Sequence, residues 1–133
     1  MNYFKTAHDA CIVLKAEYNG KSFLLTGDAS KKVFNRLINE GKDISSDYLK
    51  IPHHGSKNNM NKRILDAINP EVAIISHKNG HFGKSSDPHP NKEIIKLLQN
   101  NGIKILITND IIKGGITCMK KSTHKSDPYV MIY

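Results

Sequence analysis

Residues 11–28 read CIVLKAEYNGKSFLLTGD, and this stretch decides the fold. Residues 11–18 are β-prone, Asn19-Gly20 offers a two-residue turn, and Lys21 to Gly27 forms a second apolar run. Two such runs joined by Asn-Gly are the strongest short signal for a β-hairpin, because a type I′ turn needs positive φ at both central positions. The second strand ends at Thr26-Gly27-Asp28, which sets a carboxylate just past a buried strand.

Helices and strands alternate downstream. Ser30 caps a helix running to about Glu40, with Val33, Phe34, Leu37 and Ile38 on one face and Gly41 as its stop. Tyr48–Ile51 is a short strand that runs into Pro52-His53-His54-Gly55-Ser56. Asn61 to Ile68 reads as a helix with Ile64, Leu65 and Ile68 apolar, and Asn69-Pro70 ends it. Val72–Ser76 is nearly all apolar, the pattern of a strand buried on both faces. A polar loop follows from His77 to Pro88. Pro90 or Asn91 then opens a helix carrying Ile94, Ile95, Leu97 and Leu98, closed by Gly102. Ile103–Thr108 is a further strand, and Gly115–Met119 and Tyr129–Tyr133 are the last two, separated by the polar loop KKSTHKSD. The pattern predicts one α/β domain over residues 1–133, a mixed sheet with flanking helices.

The 133 residues suit one domain with a modest core. No apolar run approaches the roughly 20 residues that span a bilayer, and the first residues hold no apolar signal segment, so the expected location is cytoplasmic. Cys11 and Cys118 fall within apparent strands; buried free thiols are expected ahead of a disulfide, and their spacing is not that of a zinc ribbon. Twenty Lys+Arg against twelve Asp+Glu give a net charge of +8. That balance favours anionic partners such as nucleic acid or phosphorylated substrates, although a Lys- and Asn-rich composition alone produces it too.

Three segments carry candidate chemistry, and each follows a predicted strand. Asp28 stands where a carboxylate points into a cleft at the strand ends, though Gly-Asp is also a common turn. His53 and His54 sit in a Gly-containing loop suited to holding a metal or a phosphate, since neutral imidazole is the commonest nitrogen ligand of zinc. His89 lies between two prolines just before a helix, on a stiffened backbone.

Order, spacing and strand context together carry a resemblance. The stretches SFLLTGDA, DYLKIPHHGSKNN, LDAINPEVAIIS and HPNKEIIKLLQNNGIKILIT resemble the second half of the metallo-β-lactamase-type domain of the ComEC (DNA-uptake) branch. They span residues 11–110, leaving 111–133 as terminal strands and a polar loop. The resemblance implies half of an αββα sandwich and a metal-dependent hydrolase acting on phosphodiester or nucleic-acid substrates. It gives Asp28 the role of bridging two Zn²⁺ or Mn²⁺ ions and assigns a metal-binding histidine to the His53-His54 pair without choosing between them. His89 would line the active site and contact the phosphate or leaving group, as a candidate general acid. Ser56 and Lys57 would contact substrate phosphate.

One departure matters as much. The H-x-H-x-D-H motif that defines the first half of such domains is absent from this chain. His8-Asp9 is the only early candidate, and it reads better as a polar loop leading into the strand. The chain alone is therefore expected to bind metal weakly and to be a poor hydrolase. Half a sandwich also leaves a sheet face exposed. A fragment of a longer protein, a truncated gene product, or one half of a split enzyme completed by an N-terminal half or partner chain would each fit. A binding or assembly module that kept the fold and lost the metals is the alternative.

Overall fold

The computed structural model describes residues 5–77, 83–108 and 129–133. The hairpin forms at the expected place. Strand β1 (Leu14–Tyr18) pairs antiparallel with β2 (Lys21–Leu25), Tyr18 opposite Lys21. Asn19 and Gly20 both take positive φ, 51° and 70°, as a primed turn requires.

Three crossovers follow. Helix α1 (Lys31–Asn39) leads to β3 (Tyr48–Lys50), α2 (Lys62–Ile68) to β4 (Val72–Ile75), and α3 (Lys92–Asn100) to β7 (Lys104–Ile107). Strands β2, β3, β4 and β7 are parallel neighbours in that order. On the other side, β8 (Tyr129–Ile132) adds antiparallel to β1, so the sheet is six-stranded and mixed. Inside the loop expected over His77–Pro88 a small ribbon forms, β5 (Gly83–Lys84) with β6 (Asp87–Pro88). No helix among the described residues is long and apolar enough to cross a membrane.

Right-handed crossovers taken steadily in one direction put every helix on the same face of the sheet. Burial agrees. Leu24, Leu49, Ala73 and Ile75 share one face, and all are buried with Val33, Phe34 and Leu37 of α1, Ile64, Leu65 and Ile68 of α2, and Ile94 and Leu98 of α3. Arg63 ties α2 to α1 by donating to the side-chain oxygens of Asn35 and Asn39.

The opposite face carries Leu14, Ala16 and Tyr18 on β1, Phe23 and Leu25 on β2, Tyr48 on β3, Val72 and Ile74 on β4, and Leu106 on β7. None of these belongs to the buried core; Tyr18 is 57% and Leu25 46% exposed. Phe23 and Tyr48 stack on one another with centroids 4.8 Å apart. Parallel sheets are normally covered on both faces. Complete burial of such a side chain contributes about 1.5–3 kcal/mol, and among the described residues none of these side chains reaches it.

The strand expected from residue 11 begins only at Leu14. Residues Ala7–Ala10 form a 3-10 turn, and Cys11 is its C-cap, half-buried against the core with a free thiol. A turn forms there because Asp9 satisfies its open amides, accepting from the backbone N–H groups of Lys5 and Thr6. Cys118 and the strand expected over Gly115–Met119 lie outside the described residues.

Candidate functional site at the carboxyl ends of the parallel strands

Parallel strands end on one edge of the sheet, and α/β proteins bind their ligands just beyond that edge. Asp28 follows β2, His53 and His54 follow β3, and Ser76 follows β4. The segments are laced together. Thr26 Oγ1 donates to the Lys50 carbonyl at 2.7 Å, the His53 amide donates to the Gly27 carbonyl at 3.1 Å, and Lys50 Nζ donates to that same carbonyl at 3.0 Å. His89 enters from the link between β6 and α3, which is held by the Asn91 amide donating to the Gly55 carbonyl at 2.9 Å.

The histidine turn is strained. In the 3-10 turn Pro52–Gly55, His53 and His54 both lie in the left-handed region, at φ 47° and 55°. Consecutive left-handed residues other than glycine cost roughly 1–2 kcal/mol each. Such strain clusters at functional loops and persists only where the surroundings over-determine it. Here Gly55 completes the turn at φ 86°, packed so closely that a Cβ would lie 2.8 Å from Pro90 Cβ.

Hydrogen bonding fixes both tautomers. His54 Nδ1 lies 2.7 Å from the Ser76 carbonyl, which only accepts, so Nδ1 carries the proton. Asn59 Nδ2 donates to the carbonyls of Asp28 at 3.1 Å and Ala29 at 2.9 Å, so its amide orientation is set. Its Oδ1 therefore faces His53 Nδ1 at 3.3 Å and takes that proton. With Nδ1 as the donating nitrogen, Nε2 is in each ring the atom suited to bind a metal or take a proton.

Asp28, His53, His54, Ser56, Asp87 and His89 line a hollow of about 480 Å³. The His53 and His89 rings are 5.2 Å apart. Nδ1 of His89 is buried and makes no hydrogen bond among the described residues. Burial, with the neighbouring His53, pushes its pKa below the usual 6.5 against the pull of Asp87. Lys50 is also lowered by burial, opposed by the Asp28 carboxylate.

Five of the six sequence-predicted residues thus meet here: Asp28, His53, His54, Ser56 and His89. Ser56 is only 2% exposed, and its hydroxyl accepts from the Asn58 amide. Lys57 lines neither this hollow nor its neighbour of about 390 Å³ beside the start of α1. Sequence reasoning passed over Asn59 and Lys50, and it raised His8 as an early candidate but preferred to read it as a polar loop. His8 Nδ1 lies 4.0 Å from Asp28 Oδ2, and its ring stacks on His53 with centroids 4.6 Å apart and planes 25° apart.

The donor set of imidazole nitrogens and a carboxylate suits zinc or manganese. Among the described residues, however, no three His, Cys, Asp or Glu side chains converge closely enough to hold a metal ion. The chemistry of the donors fits a metal; their number within bonding reach falls short of a complete catalytic site.

No family model matches the chain. The ComE operon protein 3 of Bacillus subtilis (strain 168) is 34% identical over 103 residues, which is 77% of this chain and 13% of that protein. The competence protein ComA of Neisseria gonorrhoeae is 27% identical over 121 residues, 85% of this chain and 17% of that protein. Recombination protein 2 of Haemophilus influenzae is 37% identical over 83 residues, 60% of this chain and 10% of that protein. The chain spans between 10% and 17% of the length of these curated relatives. Its homologues are competence proteins.

Proposed function

We propose that this chain is the C-terminal portion of a metal-dependent hydrolase domain of the metallo-β-lactamase fold, acting on phosphodiester bonds of nucleic-acid type. The observation that carries the reading is the meeting of Asp28, His53, His54 and His89 at one sheet edge. The competence homologues and the net charge of +8 support nucleic acid as the substrate class.

Asp28 and one or both of His53 and His54 would hold Zn²⁺ or Mn²⁺. A bound ion of this kind activates water and stabilises the anion formed on phosphorus. His89 would face the phosphate or the leaving oxygen. The remaining ligands would come from outside this chain, together with a second sheet laid over the open face of Phe23, Leu25, Tyr48, Val72 and Ile74. That sheet would belong to an N-terminal half or a partner chain.

A second reading is a binding or assembly module that keeps the fold without catalysis. It is favoured by the finding that no three donors close on one point among the described residues. Metal content and hydrolysis of bis(4-nitrophenyl) phosphate separate the two, measured on the chain with and without a co-encoded segment carrying H-x-H-x-D-H. The hydrolase reading expects about two metals per completed domain. It also expects phosphodiester cleavage, and loss of both in Asp28→Ala and His53→Ala. A completed domain that folds, holds no metal and cleaves nothing supports the module.

A further inference from the structure

We propose that the hollow beside the start of α1 is an anion subsite, which takes a backbone phosphate of single-stranded nucleic acid next to the one held in the Asp28–His89 hollow. This rests on the substrate class proposed above, and it needs no metal.

Placement is the first argument. The hollow measures about 390 Å³ and carries Lys31, Lys32, Ser56 and Asn58 on its walls. His53, Ser56 and Asn58 line it and the Asp28–His89 hollow alike, so one extended strand can occupy both.

Charge is the second. Lys31 is half-buried and joins no ion pair among the described residues. Lys32 Nζ lies 3.3 Å from Asp9 Oδ2. That carboxylate is turned inward: Asp9 is 5% exposed and also accepts from Lys5 N, Thr6 N and Ser30 Oγ at 3.0, 3.2 and 2.6 Å. One buried carboxylate against two ammonium groups leaves the hollow positive. The backbone N–H groups of Lys31 and Lys32 make no hydrogen bond among the described residues. Ser30, the N-cap of α1, spends its hydroxyl on Asp9, and the first turn of α1 holds no acid. Two lysines at that end oppose the helix dipole, and a bound anion reverses the balance.

The third argument is independent of the helix. Ser56 is 2% exposed, and its Oγ accepts from the Asn58 amide at 3.4 Å. Its hydroxyl proton goes to no acceptor among the described residues, although buried donors normally find one. A phosphate oxygen in the hollow supplies that acceptor. A donor so deeply set is within reach of a flexible single strand that bends into the hollow. A duplex, stiff over about 150 base pairs, keeps its phosphates outside.

The test is fluorescence anisotropy of a fluorescein-labelled oligothymidylate with the purified chain in EDTA, between about 50 and 200 mM salt. Wild-type chain is expected to bind it, and the same sequence as a duplex more weakly. Lys31→Ala should make the slope of log K against log salt shallower by about 0.7, the value for one phosphate contact on a single strand, which is about fivefold in affinity over a decade of salt. Lys42→Ala removes the same charge from the far end of α1 and should keep the wild-type slope. Ser56→Ala should weaken binding and leave the slope unchanged, because it removes a neutral donor; the melting temperature of each variant checks its fold. The subsite is overturned if Lys31→Ala and Lys42→Ala behave alike, if duplex binds as tightly as single strand, or if the wild-type chain binds no oligonucleotide at the lowest salt. Calorimetric saturation by inorganic phosphate without binding of the oligonucleotide would assign the hollow to a small free anion and overturn it too. None of these measurements reads metal or cleavage, so the hydrolase reading can fail while the subsite stands, and the reverse.

Discussion

Asn59 Oδ1 and His53 Nδ1 lie 3.3 Å apart, and this contact decides which nitrogen of His53 carries the proton. The same Asn59 amide closes the turn after Asp28 by donating to the Asp28 and Ala29 carbonyls. One buried side chain thus orients a histidine and holds the backbone of Asp28, 25 positions earlier in sequence.

Asn59→Ala is expected to destabilise the chain by about 1–3 kcal/mol, because the buried Ala29 carbonyl and its neighbour lose their donors. Urea denaturation measures this. Asn59→Asp should do no better, since a carboxylate has no proton to give either carbonyl.

Gly55→Ala should be costly beyond its positive φ. The added Cβ would sit 2.8 Å from Pro90 Cβ and 3.0 Å from Pro90 Cα, so the turn carrying His53 and His54 must move away from the His89 link. Gly102→Ala is the control: its φ is 67°, but nothing lies within 4 Å of the added atom. The control should lose about 1–2 kcal/mol and Gly55→Ala clearly more. Their melting temperatures settle the comparison.

Lys15 is 3% exposed, and its ammonium donates to Asp43 at 2.6 Å. Removing the two partners has unequal consequences. Asp43→Ala leaves a buried cation with only Glu17, 4.0 Å away, and should lose about 1–3 kcal/mol. That is less than for a fully buried pair, because Asp43 is 66% exposed and partly screened. Lys15→Met, which swaps a buried charge for an apolar chain of similar length, should stay within about 1 kcal/mol of wild type.

The same pair sets an acid limit. Hydrogen bonds from Lys15 and Ser45 lower the Asp43 pKa to about 2. Ionised Asp43 therefore favours the folded state above its unfolded pKa of about 3.9, and that contribution disappears as pH falls toward about 2. Urea midpoints measured between pH 5 and pH 2 should drop through this window. The drop should be shallower in Lys15→Met.

Leu25→Glu tests the open sheet face. Leu25 is 46% exposed, so the substitution should leave the melting temperature of the isolated chain nearly unchanged. It should also reduce concentration-dependent association seen by light scattering. In a completed domain the same change should block assembly, because a carboxylate would be buried without a partner.

The parts of this molecule that local chemistry dictates were legible in the sequence. Asn19-Gly20 announced the hairpin, and Asn61 and Asn91 occupy N-caps whose side chains accept from Ile64 and Glu93 amides. The strand-end positions of Asp28 and the His53-His54 pair followed from apolar runs and the glycines beside them. What failed to show was anything set by contacts across the sheet edge. His8 and Asp9 read as a polar loop because, beyond the local amides of Lys5 and Thr6 that Asp9 accepts from, their partners are distant in sequence: Ser30, Asp28 and His53. Ser30 was expected as a side-chain cap and is the N-cap of α1, but its hydroxyl is given to Asp9 instead. Lys50 and Asn59 were missed for the same reason, each serving a backbone carbonyl of the loop at residues 27–29.

The one-sided sheet has a consequence for the life of the chain in a cell. On the reading proposed above, a copy that finds no cover presents Phe23, Leu25, Val72 and Ile74 on a strand surface of the kind that chaperones and proteases recognise. Supply of the covering segment would then govern how much of the chain persists, and surplus copies would be cleared without any dedicated regulator.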